Sequence, residues 1–423
     1  MPGVTRRALL GATLAAAATA LLACGRAGTG ASSPRGPTLA LATGPDWTRA
    51  AEVVVSRYTA EGGRARVTVV PAGMPALIAA MLAGTPTTPP DVILVTPAVR
   101  SIWQATSLMH DLGPTLANTR LDATIYPSVL ADGSFQGRQL VMPLFRDPLV
   151  VFYNADALAR AGHNPPAPTW PLADLMDLCA RLAANGTHPL LRSASVTNAE
   201  LLTAFIIGFG GEVLAPGPAG GTGYVPAFTS ARALAGLSAL ATLLKYVPPQ
   251  GINSSLQTFA QGGAALFFGH YRDVAALESA IGSLFAWNVV SLPAFPARGA
   301  QPVQAEGLAA VSADPQLRTA AITLTLFGAT SAGQTALARA GLGVPATPAL
   351  AQSPLWRART PLLDNDVFVA NTADDVIVPR PLYFLDPQLD LALTASMRGV
   401  AVAEAFGAAA TASEFTLANW PNP

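Results

Sequence analysis

Residues 137–170 read GRQLVMPLFRDPLVVFYNADALARAGHNPPAPTW, and the fold follows from how that stretch divides. Leu140 to Met142 form a short apolar run that Pro143, having no N–H to give, is expected to stop. Leu149 to Tyr153 are apolar at every position, without the alternation of a half-exposed strand, so the run reads as a strand covered on both faces. Between the two lie Leu144-Phe145-Arg146-Asp147-Pro148. Two charges in a link between buried strands are costly unless they face a cleft or a partner. Asn154 and Asp156 then supply helix-start chemistry, Gly162 a stop, and Pro165, Pro166 and Pro168 an extended run into a helix from Thr169.

Upstream, Leu39 to Leu41 reads as a strand, Thr48 to Tyr58 as a helix, Val67 to Val70 as a strand, Pro75 to Ala83 as a helix and Pro90 to Val95 as a strand. Strands alternating with helices imply a parallel sheet with helices on its faces. In an open sheet of that kind ligands bind beyond the C-terminal ends of the strands, which singles out Asp46, Trp47, Thr96 and Arg100. Downstream, Leu172, Leu175, Met176, Cys179 and Leu182 recur at helical spacing, so Cys179 reads as a core thiol.

At 423 residues the chain has room for two or three domains. Only 12% of residues are charged, roughly half of the usual ~25%. That raises the question of a membrane protein, but past the N-terminus no uncharged apolar run reaches the ~18 to 20 residues of a membrane helix, which favours a soluble body. Lys plus Arg equals Asp plus Glu at 25 each, so no net field points to nucleic acid. Residues 1–24 read as an export signal: Arg6-Arg7, an apolar core from Ala8 to Ala23, and small residues before Cys24. Residues 25–37, rich in Gly, Ser and Pro, read as a flexible tether. Cys179 is left without an intramolecular partner, so no disulfide is expected.

The hallmarks of several enzyme classes are missing. No Gly-x-Ser-x-Gly elbow, His-Glu-x-x-His or Walker loop occurs. The Gly-rich runs 208–211 and 217–223 lack the strand-turn-helix spacing of a dinucleotide site. His110, His163, His188 and His270 are scattered without a second ligand at helical spacing, so neither a zinc site nor any cofactor is expected. Asp364-Asn365-Asp366 and Asp374-Asp375 lack the Gly and closing Glu of a calcium loop and read as solvated loops.

The order Gly137, Pro143, Tyr153-Asn154, Gly162, Pro165-Pro166 and Thr169-Trp170 resembles the signature region of the extracellular solute-binding proteins of ABC importers, in the branch that includes the maltodextrin binders. The family's acidic residues after Thr-Trp are replaced here by Pro171 and Leu172. Further matches are Gly210-Gly211, Gly269-His270-Tyr271, Trp287 to Pro293 as a second crossing strand, Ala305 to Ala309 as the return, and Gly341-Leu342-Gly343-Val344-Pro345 as an exit loop, so the resemblance spans most of 38–415. It implies an α/β fold of two lobes, the type II periplasmic-binding-protein fold, each a mostly parallel sheet flanked by helices and joined by crossing strands. Lobe I is expected at 38–147 plus 294–346 and lobe II at 148–293 plus 347–423.

The resemblance also implies a function: capture of a carbohydrate-like solute between the lobes by hinge closure, without catalysis, and delivery to an ABC permease by a monomeric receptor. By position, Trp47, Tyr271 and Tyr383 or Phe384 are the expected aromatic platforms, and Asp46, Arg146, Asp147, Asn198 and Glu306 the hydrogen-bonding set. Leu21-Leu22-Ala23-Cys24 resembles a lipoprotein cleavage box, which would tether the receptor outside the cell membrane through lipidated Cys24. Thr5-Arg6-Arg7 resembles a twin-arginine signal. A secreted polysaccharide hydrolase or lyase, and a non-transporting sensor of the same fold, are the alternatives.

Overall fold

The computed structural model describes residues 37–83, 89–97, 99–100, 108–217, 223–247, 255–358 and 363–419. The export signal, Cys24 and all but the last residue of the tether lie outside them.

Two mixed sheets carry the architecture. The first runs in the order Ala65–Val69, Leu39–Thr43, Val92–Val95, Gly307–Ala310, Met142–Pro143. Its first three strands are parallel, Leu41 standing opposite both Val67 and Val92. Gly307–Ala310 is antiparallel to both its neighbours. The second sheet runs Trp287–Ser291, Val150–Asn154, Leu266–Gly269, Leu190–Arg192, and here Val150–Asn154 is the strand antiparallel to its neighbours. In each sheet the reversed strand is the first one the chain forms after arriving from the other sheet. A strand entering from the junction runs away from it, whereas the others run towards it, so both sheets turn the C-terminal ends of most strands to the junction.

The junction is itself a small sheet of Asp375–Val376, Gln301–Gln304 and Asp147–Pro148. The chain therefore passes between the large sheets three times. Trp287–Ser291 belongs to the second sheet, so the expectation that Trp287 to Pro293 crosses is corrected: Gln301–Gln304 is the crossing strand. The cause lies in Ala294, whose backbone donates to Trp170 O at 2.7 Å and accepts from Leu172 N at 2.9 Å, tying the chain to the second half before it returns. Pro143, paired opposite Gly307, is the last residue of its strand, as expected, and is itself part of the ladder. It lies on an edge strand, where the missing N–H has no partner to lose. The helix expected from Thr169 begins at Leu172, with Pro171 as its extended N-cap.

Local chemistry elsewhere follows the sequence closely. Asn154 caps the helix Ala155–Arg160 by accepting from Ala157 N at 2.8 Å, and Thr197 with Glu200 closes a capping box on Asn198–Gly208. Val150 and Phe152 face one apolar cluster while Val151 and Tyr153 face another, the two-sided burial their unbroken apolar run predicts. The first cluster does more than fill one half. It runs from Leu41, Val92 and Leu308 through Phe145, Tyr271, Trp356 and Phe368 to Phe152 and Phe267, so apolar packing is continuous past the junction. The second cluster gathers Leu175, Leu182, Phe205, Leu240, Leu385 and Phe406. Cys179 is buried in it, its thiol pushed up to about 12 by burial, which leaves no thiolate for chemistry.

Candidate functional site

The strand Leu266–Gly269 ends at the junction and delivers His270-Tyr271-Arg272-Asp273 there in a single tight turn. Arg272 is the centre of the site. Its Nε donates to Asp147 Oδ2 at 2.7 Å, its Nη2 reaches Gln304 Oε1 and stands 2.9 Å from Glu306 Oε1, and its guanidinium lies 5.6 Å from the centre of the Trp47 indole. Asp147 Oδ1 accepts the Tyr271 N–H at 2.9 Å. One cation from the second half thus holds two of the crossing segments and an aromatic face of the first half. Burial opposes its charge, but Glu306 and Asp147 outweigh that and raise its pKa, so it stays ionised.

Glu306 is the least satisfied group in the site. It is fully buried, neither carboxylate oxygen receives a well-formed hydrogen bond from another residue, and its ion-pair contact is Arg272. Burial pushes its carboxyl up to about 7, with Arg272 opposing and Asp147 adding to the rise. Behind it lies a second charged group. His270 Nε2 is 3.0 Å from Glu200 Oε1 and its Nδ1 is 3.1 Å from Ser195 Oγ, while Glu200 Oε2 accepts the Thr197 N–H at 2.9 Å. Burial works against both charges, yet the pair with Glu200 raises the His270 pKa and the pair with His270 lowers that of Glu200. Asp273 accepts from Ser193 Oγ at 2.9 Å and from Ser195 Oγ at 3.3 Å, and burial raises its pKa.

Ser195, His270 and Glu200 line up like a nucleophile, base and orienting acid. The electrostatics point elsewhere. The pair with Glu200 favours the charged imidazole, the form that donates from both nitrogens to Ser195 and Glu200 and has no lone pair for the serine proton. Ser195 Oγ is also within hydrogen-bond reach of Ser193 Oγ and Asp273 Oδ2, so the group reads as a hydrogen-bonded wall.

The site residues expected from the sequence divide into three groups. Trp47, Asp147 and Glu306 come together on Arg272, and Tyr383, packed on the second apolar cluster, lies within electrostatic reach of Arg272. Its phenol is pushed well above its ordinary value by burial, in the field of Glu200 and Arg272 from one half and of Asp132 and Arg100 from the other. Asp46 is exposed next to Trp47, Thr96 half-buried at the end of Val92–Val95, and Phe384 exposed at 37% beside Tyr383. Asn198 belongs to a neighbouring polar group, accepting from Arg192 and donating to Asp390 Oδ1 at 2.8 Å.

Arg146, Arg100 and Tyr271, also expected as solute contacts, are engaged in the interior. Arg146 is fully buried, forks onto Asp375, donates to Phe368 O and lies 5.4 Å from the Tyr126 ring centre. It fastens the first crossing to the third. Arg100 is paired with Asp132 and donates to Ala305 O at 3.0 Å. The Tyr271 ring is 3% exposed and packs at 5.0 Å from Phe368 and 5.3 Å from Trp356. Sequence reasoning missed Arg272, Gln304, Glu200 and Ser195. A signal existed for the first: an arginine within three residues of the end of a buried strand that points at the junction.

A model of the family described as bacterial extracellular solute-binding protein matches residues 54–362. The chain belongs to that family. Among solved structures, this solute-binding protein is similar to UgpB from Mycobacterium tuberculosis in complex with glycerophosphocholine, at 16% identity and a TM-score of 0.74, covering 90% of this chain and 98% of that one. It is also similar to an ABC substrate-binding protein from Listeria monocytogenes in complex with cycloalternan, at 16% identity and a TM-score of 0.73 with 90% and 98% covered. A third is the maltose-maltodextrin binding protein of Alicyclobacillus acidocaldarius, at 15% identity and a TM-score of 0.68 with 89% and 99% covered. These likenesses establish the two-lobe type II binding-protein fold. A comparison with curated sequences gives no match.

Proposed function

We propose that this solute-binding protein captures a carbohydrate-like solute at the junction of its two lobes and delivers it to an ABC permease. One observation carries the reading: two sheets present strand ends to a junction crossed three times by the chain, and Arg272, Asp147, Gln304, Glu306, Trp47 and Tyr383 converge there from both sides. The lobes part at Asp147–Pro148, Gln301–Gln304 and Asp375–Val376, and bending there opens and closes the gap, a motion known for periplasmic binding proteins as a class. Carboxylates, amides and aromatic faces are the groups that hold hydroxyls and the less polar C–H surfaces of a sugar. The Listeria relative was solved with cycloalternan and the Alicyclobacillus one is described as a maltose-maltodextrin binder, which supports a saccharide.

The receptor works as a monomer outside the cell membrane, exported through its N-terminal signal and held by a lipid on Cys24. Cys24→Ser should move it from the membrane fraction to the medium. The function is tested by thermal melts of the mature chain against a panel of mono- and oligosaccharides and polyols. A true solute at about 100 times its Kd adds about 2.7 kcal/mol of stability. A panel without a single shift would remove the carbohydrate reading. Of the alternatives, a hydrolase finds less support, because the pair with Glu200 favours the charged His270, the form that is no base for Ser195.

A further inference from the structure

The charges at the junction do not balance. Arg146 with Asp375, and Arg100 with Asp132, are paired one to one. Around Arg272, by contrast, the carboxylates Asp147, Glu200, Asp273 and Glu306 are set against two cations, Arg272 and His270, and all four carboxylates are buried. The neighbouring group tilts the same way, with Arg192 beside Asp386 and Asp390. Arg380, another cation of the same region, donates to the carbonyls of Asp132 and Ser134 and lies over Phe135. Uncompensated negative charge in a buried site is costly, and in the empty protein a proton relieves it, since burial pushes the Glu306 carboxyl up to about 7.

The imbalance is localised on one side chain. Asp147 is bonded to Tyr271 and Arg272, Glu200 to Thr197 and His270, and Asp273 to His270, Ser193 and Ser195. Glu306 alone of the four has both oxygens without a well-formed hydrogen bond from another residue, and its contact with Arg272 places it inside the cluster. Among the described residues no three His, Cys, Asp or Glu side chains are disposed to hold a metal ion. What Glu306 lacks is a well-directed donor: Arg272 stands 2.9 Å from Oε1 without hydrogen-bond geometry, and Oε2 has no partner on another residue. The adjacent Trp47 face suits a donor with positive charge, since it already stacks against one cation.

We propose that the solute carries a positive charge, a protonated amine or guanidinium, which docks on Glu306 while Arg272 remains with Asp147 and Gln304. This rests on the receptor reading of the junction and narrows it from sugars in general to amino sugars or similarly cationic polyols. In the conformation described, Arg272 covers Glu306, so the cation enters while the lobes are apart and is enclosed when they close. A phosphorylated or carboxylated solute would meet the same negative excess and be rejected.

The test is calorimetric titration of the mature chain with matched pairs: glucosamine and its β-1,4-linked di- and trisaccharides, each against its N-acetylated twin, with glucose 6-phosphate as the anionic probe. At least one free amine should bind about tenfold or more tightly than its N-acetylated twin, the worth of one charged hydrogen bond. Glu306→Gln, which keeps the shape and removes the charge, should abolish that preference. N-acetylated or phosphorylated sugars binding as well as the amines, no amine binding at millimolar concentration, or an amine preference that survives Glu306→Gln would each overturn the proposal. Tyr383→Ala separates this failure from that of the broader reading. If neutral sugars bind and Tyr383→Ala abolishes it, only the cationic solute is lost; if no binding responds to Tyr383→Ala or Glu306→Gln, the junction is not the binding site and both readings fall.

Discussion

Arg272 and Glu306 face each other across 2.9 Å, from Nη2 to Oε1, at a geometry that makes an ion pair but no hydrogen bond. One partner stands at the end of a second-lobe strand and the other beside the crossing strand Gln301–Gln304. The contact therefore joins a moving part to the hinge it moves about, and its electrostatics can be read in the behaviour of the empty protein.

Glu306 titrates at about 7 in the folded chain because burial disfavours its charge, against an ordinary 4.5. Between those values the native state holds more protons than the unfolded one, so stability falls as pH rises through the window. Glu306→Gln removes the titration. The stability of the variant relative to the parent should rise between pH 5 and pH 8, by on the order of 2 kcal/mol after allowing for the lost pairing with Arg272. Urea melts at the two pH values measure it, and a difference that does not change with pH would show that Glu306 is not the strained group.

The His270–Glu200 pair is limited from both sides of the pH scale, by His270 as pH rises and by Glu200 as it falls. A raised His270 contributes stability that is complete below its ordinary 6.5 and lost as pH climbs through its folded value. A lowered Glu200 contributes stability present above its ordinary 4.5 and lost as pH falls through its folded value. The coupling is therefore greatest between those two ordinary values. A double-mutant cycle with His270→Gln and Glu200→Gln should give a coupling of about 1–3 kcal/mol near pH 5.5 that shrinks as pH rises through the folded value of His270. A coupling flat across that range would mean that His270 is neutral and the contact an ordinary hydrogen bond.

How far the sequence led can be judged from particular residues. Leu149 to Tyr153 were legible as a doubly covered strand because an apolar run that is short and unbroken suits a strand buried on both faces, and Asn154 was legible as a cap because its chemistry is local. Asp147 at the crossing and Trp47 beyond a strand end were also within reach, since the chain direction in an α/β sheet decides which ends meet the junction. Arg146 was not: its neighbour in sequence faces the site, but its own partner Asp375 is 229 residues away, and nothing local to Arg146 announces it. Glu200 likewise was not legible: in the fold it closes a capping box with Thr197 through one oxygen, while its other oxygen meets His270, 70 residues away.

Asp147 is where the structure most alters expectation. Taken as a solute contact alone, its removal should leave the empty protein's melt nearly unchanged. Its carboxylate instead accepts the buried Tyr271 N–H and holds Arg272. Asp147→Ala should destabilise the empty chain by about 3–5 kcal/mol, the usual cost of leaving a buried partner unpaired. Asp147→Asn, which keeps an acceptor for Tyr271 N–H, should lose less. Denaturant melts of both variants decide the matter, and equal stability for Asp147→Ala and the parent would return Asp147 to a purely ligand-facing role.

The Trp47–Arg272 contact bears on closure. Trp47 follows the first strand of lobe I and packs on Phe145 with ring centres 5.7 Å apart, while its face meets a guanidinium from lobe II at 5.6 Å. Opening the lobes must separate the indole from Arg272, whereas Asp147, Gln304 and Glu306 sit at the hinge and move least. The indole thus contributes to the closed state and little to the hinge itself. Trp47→Ala should shift the empty protein towards the open form by about 0.5–2 kcal/mol, the range for a cation over an aromatic face, with the stability of each lobe little changed. Distances between spin labels placed on the two lobes would report the shift as a larger open population in Trp47→Ala. An unaltered distribution would show that Arg272 is held by its carboxylates alone, and that the indole waits for the solute without helping to shut the gap.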